Sequence, residues 1–369
     1  MKYFIDESSR KPAYIQLYEQ MRKDIADGVY PYKTKLPSKR LISAETGISV
    51  ITAEHALDLL CDEGYIEAKE RSGYFVTFQN GAFFPVGEES EPIPATDYVG
   101  SRSHSFPFSV ISKTMRRVLT KYGELILEKS PNIGRAELRN AISRYLLRSR
   151  GINALPEQIV IGSGSEYLYG IVTAILGRDR IYGIENPSYE KIEKVYRASG
   201  VHCELLPLAK NGIKSSALAE TSASVLHITP YRSFPSGVTA SLIKRREYLK
   251  WASEYDRFIV EDDFESEFTL SKKPEETIFS LSEKENVIYL NTFSKTVSPS
   301  IRMGYMVLPK SLVGAYHENA GFYSCSVPVF EQYVLAELIN SGDFERHINR
   351  VRRKIRKEKE SKQNTTLYK

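Results

Sequence analysis

The chain has 369 residues, 41% of them hydrophobic and 26% charged, with a formal net charge of +5. That composition excludes global disorder, and the length allows two or three domains with buried cores. No apolar run approaches the roughly 20 residues needed to cross a bilayer. The opening MKYFIDESSRKPAYIQLYEQ has acids where a secretion signal keeps an apolar stretch. Three scattered cysteines (Cys61, Cys203, Cys325) suit neither a disulfide framework nor a zinc site. The expectation is a cytoplasmic protein with no metal and no membrane contact.

In chain order, residues 13–27 read as an amphipathic helix ended by Gly28. LPSKRLISAET follows, with Ser38 as the helix cap and Gly47 as the stop. Ser49 caps a further helix through Glu63, with Ala53, Ala56, Leu57 and Leu60 on its buried side. YIEAKERSGYFVT then gives two short strands about a tight turn at Ser72-Gly73. This order is that of a winged helix–turn–helix. The Pro-, Gly- and Glu-rich stretch after residue 78 reads as a linker.

From about residue 105, strand-like runs (EQIVI, RIYGI, HCELLPL, SVLHIT, RFIVED, NVIYLNT, RMGYMVLP) alternate with helical ones. Such alternation predicts an α/β domain with a largely parallel sheet covered on both faces. In RHINRVRRKIRKEKE, Ile348, Val351 and Ile355 recur at helical spacing, so the basic tail reads as one helix with a solvated cationic face.

Charge has to be read locally. Residues 1–78 hold 11 Lys/Arg against 12 Asp/Glu, whereas residues 350–369 hold 9 Lys/Arg against 2 Glu. The net positive charge therefore says nothing about the N-terminal part. There the informative feature is clustering: Lys33, Lys35, Lys39 and Arg40 precede and enter the second helix, and Lys69 and Arg71 lie on the hairpin. These flank a helix beginning Ser49-Val50-Ile51-Thr52, as a major-groove reader requires.

Three motifs in the second half point to one chemistry. A lysine (Lys295) stands between two strands beside Thr292, Ser294 and Arg302, a set able to bind a phosphorylated aldehyde and form an imine with it. VIEDDFESEF places carboxylates at a strand end, where one could hold a proton on a pyridine nitrogen. IVIGSGSEYLYGIV is a strand, a Gly/Ser turn and a helix start, suited to a dianionic phosphate.

The stretch LPSKRLISAETGIS…AEHALDLLCDEGYIEAKERSGYFV resembles the DNA-binding domain of GntR-type regulators over residues 11–78. The three later motifs together resemble the large domain of fold type I aminotransferases. The whole arrangement resembles the MocR subfamily, whose landmarks stand here as ENPSYEK (185–191) and TPYRSFPSG (229–237). The implied division is a winged helix over 1–78, a linker over 79–104, an aminotransferase-like domain over 105–342, and a basic helix and tail over 343–369.

The resemblance implies an α+β winged helix–turn–helix joined to an α/β domain. It implies pyridoxal 5′-phosphate as cofactor, Lys295 as the Schiff-base lysine and Asp262 as partner of the pyridine nitrogen. Gly164, Ser165, Thr292, Ser294 and Arg302 would form the phosphate cup, and Tyr189 would stack on the ring. Lys39, Arg40, Ser49, Thr52 and Gly73 would face DNA. The implied function is a homodimeric, DNA-binding transcriptional regulator that senses an amine or amino acid. An active aminotransferase with an appended domain and a cofactor-free remnant are the alternatives.

Departures from the family pattern are Val50 and Glu54, where basic residues are common, Phe264 in place of a tyrosine, and Arg232-Ser233 before Phe-Pro-Ser-Gly. With only 74 residues after Lys295 (369 − 295), the small C-terminal subdomain with its carboxylate-clamping arginine is expected to be missing.

Overall fold

Ser38 and Ser49, each followed by an apolar periodic run, start two helices in the way their side chains dictate. In the computed structural model, residues 3–6, 8–9, 11–70, 72–78, 106–269 and 276–367 are described, with side chains to residue 358. Arg71 and the linker over 79–104 fall outside the described residues. The chain divides into two compact units, Met1–Tyr98 and Val99–Lys369.

In the first unit, α1 (Ala13–Ala26) buries Leu17, Tyr18, Met21 and Ile25. The Ser38 hydroxyl accepts from the Leu41 N–H to start α2 (Lys39–Thr46), and Gly47, at φ +75°, ends it in the left-handed conformation that glycine adopts without penalty. Ser49 does the same for α3 (Val50–Asp62) through the Thr52 N–H. Ala53, Ala56, Leu57 and Leu60 are all fully buried against α1 and α2. Fully burying a leucine stabilises by about 1.5–3 kcal/mol, so this small core rests on a few such residues.

The wing is β1 (Ile66–Lys69) paired antiparallel with β2 (Gly73–Val76). Lys69 pairs with Gly73, and the Ser72 N–H closes the turn on the Lys69 carbonyl at 2.9 Å. Gly73 is therefore the first paired residue of β2 rather than part of the turn. Residues 33–36 add a third extended segment, with Lys33 and Leu36 N–H groups donating to Val76 and Tyr74 carbonyls at 2.8 Å.

The second unit opens with α4 (Phe108–Tyr122) and α5 (Ala136–Arg150), two helices that the sequence reading did not single out. There follow β3 (Ile159–Gly162), α6 (Ser165–Leu176), β4 (Ile181–Asn186), α7 (Glu190–Ala198), β5 (His202–Ala209), β6 (Gly212–Ile213) and α8 (Ser215–Glu220). The chain continues through β7 (Val225–Ile228), α9 (Leu242–Ser253), β8 (Phe258–Asp262), α10 (Ile278–Leu281), β9 (Val287–Thr292) and β10 (Gly304–Val307). It ends with α11 (Lys310–Asn319), α12 (Val329–Asn340) and α13 (Asp343–Leu367).

The sheet order is β3-β10-β9-β8-β7-β4-β5-β6. Strand β10 runs antiparallel to both neighbours and β6 antiparallel to β5, so the sheet is mixed around a parallel centre. Both faces are covered. Ile159, Ile161 and Val307 pack with α5, α12 and the start of α13. Val160, Leu290 and Met306 pack with α6, α7 and α11. On α13, Ile348 and Val351 are buried and Ile355 half-buried, leaving the other sides solvated. Arg352 reaches inward and donates from Nε to the Glu267 carbonyl at 2.6 Å.

Period-two alternation splits the acids of β8. Glu261 accepts from the Tyr231 hydroxyl and from the Ile278 and Phe279 N–H groups at 2.8–2.9 Å, and burial pushes its carboxyl up to about 7. Asp263, on the same side, pairs with the buried Arg150 guanidinium and accepts from the Tyr289 hydroxyl at 2.7 Å. Deleting one partner of a buried ion pair strands the other charge, at about 3–5 kcal/mol. Arg150→Met is expected to lower unfolding free energy by about that amount in urea titration; an unchanged midpoint would show that the pair contributes nothing.

Candidate cofactor site and nucleic-acid interface

The parallel strands bring their carboxyl ends to one edge of the sheet. Gly304 at the start of β10 pairs with Gly162 at the end of β3 and with Thr292 at the end of β9, while Asp262 pairs with Leu290. Ligands of open α/β sheets bind at such an edge. A cleft lined by Gly151, Gln158, Phe279 and Lys310 lies instead by Val287, at the amino end of β9.

Asp262 faces the opposite side from Glu261 and Asp263. The Tyr169 hydroxyl donates to its Oδ2 at 2.5 Å, and His227 Nε2 stands 3.5 Å from the same oxygen. Burial, and then the Asp262 charge, push the Tyr169 phenol well above its ordinary value, so it remains a donor. Tyr196 hydrogen-bonds His227 Nδ1 at 2.8 Å, whereas the buried Nε2 has no hydrogen-bond partner. Tyr169 and His227 escaped the sequence reading. The visible signal was a histidine inside the otherwise apolar strand SVLHIT and a tyrosine one helical turn after Ser165.

The loop from Thr292 to Met303 closes on itself. Thr292 Oγ1 donates to the Met303 carbonyl and lies 3.1 Å from Ser294 Oγ, which in turn donates to the Ile301 carbonyl at 3.3 Å. Thr292, Ser294 and the base of Arg302 are thereby held side by side. Lys295 is exposed, its Nζ 6.0 Å from the centroid of the Phe264 ring, two residues beyond Asp262.

Gly164 has φ +97°, and a Cβ there would stand 3.3 Å from Arg302 Nη2. Ser165 begins α6 immediately after it. Arg302 forms an ion pair with Glu166, whose other oxygen accepts from Lys191 Nζ at 2.7 Å. Tyr189 precedes α7, 37% exposed, with its ring 6.3 Å from that of Phe234 and 5.9 Å from Lys191 Nζ. Glu166 and Lys191 were also missed; they lie inside the quoted motifs but carry no motif identity of their own.

These residues suit pyridoxal phosphate. An amine, a carboxylate held by a tyrosine hydroxyl beside a histidine, paired hydroxyls and an arginine over a glycine cradle share one sheet edge. The cradle is chemically specific, since a side chain at position 164 would crowd the guanidinium. Among the described residues no group of three or more His, Cys, Asp or Glu is placed to hold a metal ion. Nor is any described helix long and apolar enough to cross a membrane.

On the winged unit, Arg40 is exposed on α2. Lys39 Nζ is bound to Glu54 Oε1 at 2.5 Å, so the acid on α3 holds this cation. The Ser49 and Thr52 hydroxyls lie 2.8 Å apart while Ser49 caps the helix, so both are engaged locally. Gly73 takes φ +109°, and a Cβ there would approach Lys35 Cε to 3.1 Å. Val50 and Ile51, 37% and 66% exposed, form an apolar leading edge on α3, at the start of the helix expected to read the groove.

Comparison with known proteins follows the same division. The family model for bacterial regulatory proteins of the gntR family matches residues 13–76, and that for aminotransferase class I and II matches residues 97–363. The chain is 34% identical to an uncharacterized HTH-type transcriptional regulator, YdeL, of Bacillus subtilis, over 96% of this chain and 79% of the relative. It is 28% identical to the probable rhizopine catabolism regulatory protein MocR of Rhizobium meliloti, over 95% of this chain and 76% of that one. A kynurenine aminotransferase structure from Pyrococcus horikoshii superimposes with a TM-score of 0.62 at 28% identity, covering 67% of this chain and 64% of that one. The large unit is thus an aminotransferase-type, pyridoxal-phosphate-binding domain that follows a GntR-type DNA-binding domain in the chain, and the chain belongs to the MocR subfamily of GntR-type transcriptional regulators.

Proposed function

We propose that the large unit uses pyridoxal phosphate to sense a primary amine or amino acid, and that a homodimer of the chain conveys the result to operator DNA. The observation that carries this reading is the occurrence, at one sheet edge, of an accessible Lys295 amine and a buried Asp262 carboxylate held by the Tyr169 hydroxyl, with His227 Nε2 3.5 Å away. When bound, the cofactor supplies an aldehyde that condenses with amines and a protonated ring that withdraws electrons. Lys295 would provide the amine that anchors it, and Asp262 would hold a proton at the ring nitrogen. Tyr169, by donating to Asp262, fixes that carboxylate's orientation. Thr292, Ser294, Arg302 and the Gly164-Ser165 turn would take the phosphate, and Tyr189 would cover the ring.

Sensing follows if the effector amine favours one arrangement of the protein over another, because a ligand shifts an equilibrium only by its differential affinity. On the winged unit, α3 would enter the major groove. Its leading Val50 and Ile51 offer apolar contact to thymine methyls rather than the bidentate guanine contact of an arginine. Arg40, Lys35 and Lys69 would contact phosphates.

Two measurements test this reading. Wild-type protein mixed with pyridoxal phosphate is expected to gain a visible absorbance band that Lys295→Ala abolishes and that effector amines shift. An identical band in the variant would refute the assignment of Lys295, and turnover of amino donors above the rate of free cofactor would put an enzymatic role first. For the winged unit, Glu54→Gln should release Lys39 and tighten binding of an operator fragment by about 3–10-fold in low salt. The slope of log affinity against log salt should steepen by about 0.9, as one added phosphate contact requires. Unchanged affinity and slope in a retardation titration would show that Lys39 takes no part.

A further inference from the structure

We propose that Glu166 is a built-in competitor for the cofactor's phosphate: its carboxylate occupies the cations of the cup, and the phosphate binds by displacing it. The inference rests on the cofactor site described above. Two cations from different elements converge on one carboxylate, Arg302 at Oε2 and Lys191, from α7, at Oε1. That carboxylate belongs to the first turn of α6, the helix whose preceding Gly164-Ser165 turn would receive a phosphate. A single anionic group thus already bridges the guanidinium that covers Gly164 and an ammonium beside Tyr189.

The bridge keeps Glu166 ionised. The Lys191 hydrogen bond and the Arg302 charge, working against partial burial, hold its carboxyl below the usual carboxylate range. An arriving phosphate therefore meets a like charge, and two cations whose hydrogen bonds and one unit of whose charge that carboxylate already takes. Once the carboxylate turns away, both cations become available, which makes Lys191 a second phosphate-binding residue beside Arg302. Pyridoxal, which has no phosphate, escapes this competition.

The test is to titrate the full-length wild type, Glu166→Gln and Lys191→Ala with pyridoxal 5′-phosphate and separately with pyridoxal, reading the visible absorbance. At this largely water-exposed site, a like charge a few ångströms away changes binding by about five- to tenfold, the bulk-water limit. Glu166→Gln should therefore tighten pyridoxal phosphate by about that factor and leave pyridoxal unchanged. Lys191→Ala, on an exposed helix face, should weaken pyridoxal phosphate several-fold and also leave pyridoxal unchanged. Equal affinities for pyridoxal phosphate across the three proteins, or parallel changes for both ligands, would overturn the competition while leaving the cofactor site intact. Absence of any Lys295-dependent band in all three would remove the site itself and this inference with it.

Discussion

Alternation of side chains along one strand governs the chemistry available to the large unit. At the end of β8, three consecutive acids cannot share an environment, because successive residues of a strand face opposite sides. Glu261 and Asp263 are drawn into the interior, where backbone N–H groups, Tyr231, Tyr289 and Arg150 satisfy them. Asp262 alone turns to the side where Tyr169 and His227 wait. The two flanking acids anchor the strand, and their anchoring fixes the carboxylate between them. Removing Arg150 would therefore disturb the site as well as the core, although Arg150 touches neither Lys295 nor Asp262.

Much of this was legible in the sequence. Helix caps at Ser38 and Ser49, the stop at Gly47, and the alternation of apolar strands with helices are local signals, and local signals survive folding. The edge where Gly164, Asp262, Thr292 and Ser294 gather follows from parallel strand order, since each lies at or just beyond a strand end, whereas Arg302 joins them because β10 runs antiparallel and starts there. Direction was harder to read. Nothing in RMGYMVLP distinguishes an antiparallel β10 from a parallel one, because a strand buried on both faces looks alike in either orientation. Ser72-Gly73 suits a turn, yet the Lys69–Gly73 pair puts Gly73 in the strand and the Ser72 hydrogen bond to Lys69 closes the turn before it.

Partnerships between distant residues were the least legible. Lys39 reads as a free cation until Glu54, fifteen positions on, is seen to hold it. Arg302 and Lys191 read as independent charges until both are found on Glu166. In each case one acid restrains cations that the sequence alone would assign to an anionic ligand. Lys39, Arg302 and Lys191 are therefore already committed, and for these three a contact with phosphate becomes an exchange of partners. Exchange lowers affinity and makes binding depend on what the displaced acid does next.

The C-terminal helix handles its charge differently. Arg352 is fastened to the large unit through the carbonyl oxygen of Glu267, a neutral acceptor, so docking leaves its positive charge uncancelled. Elsewhere on the same helix acid meets base directly, Asp343 with Arg346 and Glu345 with Arg148 of α5. The segment is thus tied down by a neutral acceptor at one point and by charge pairs at others.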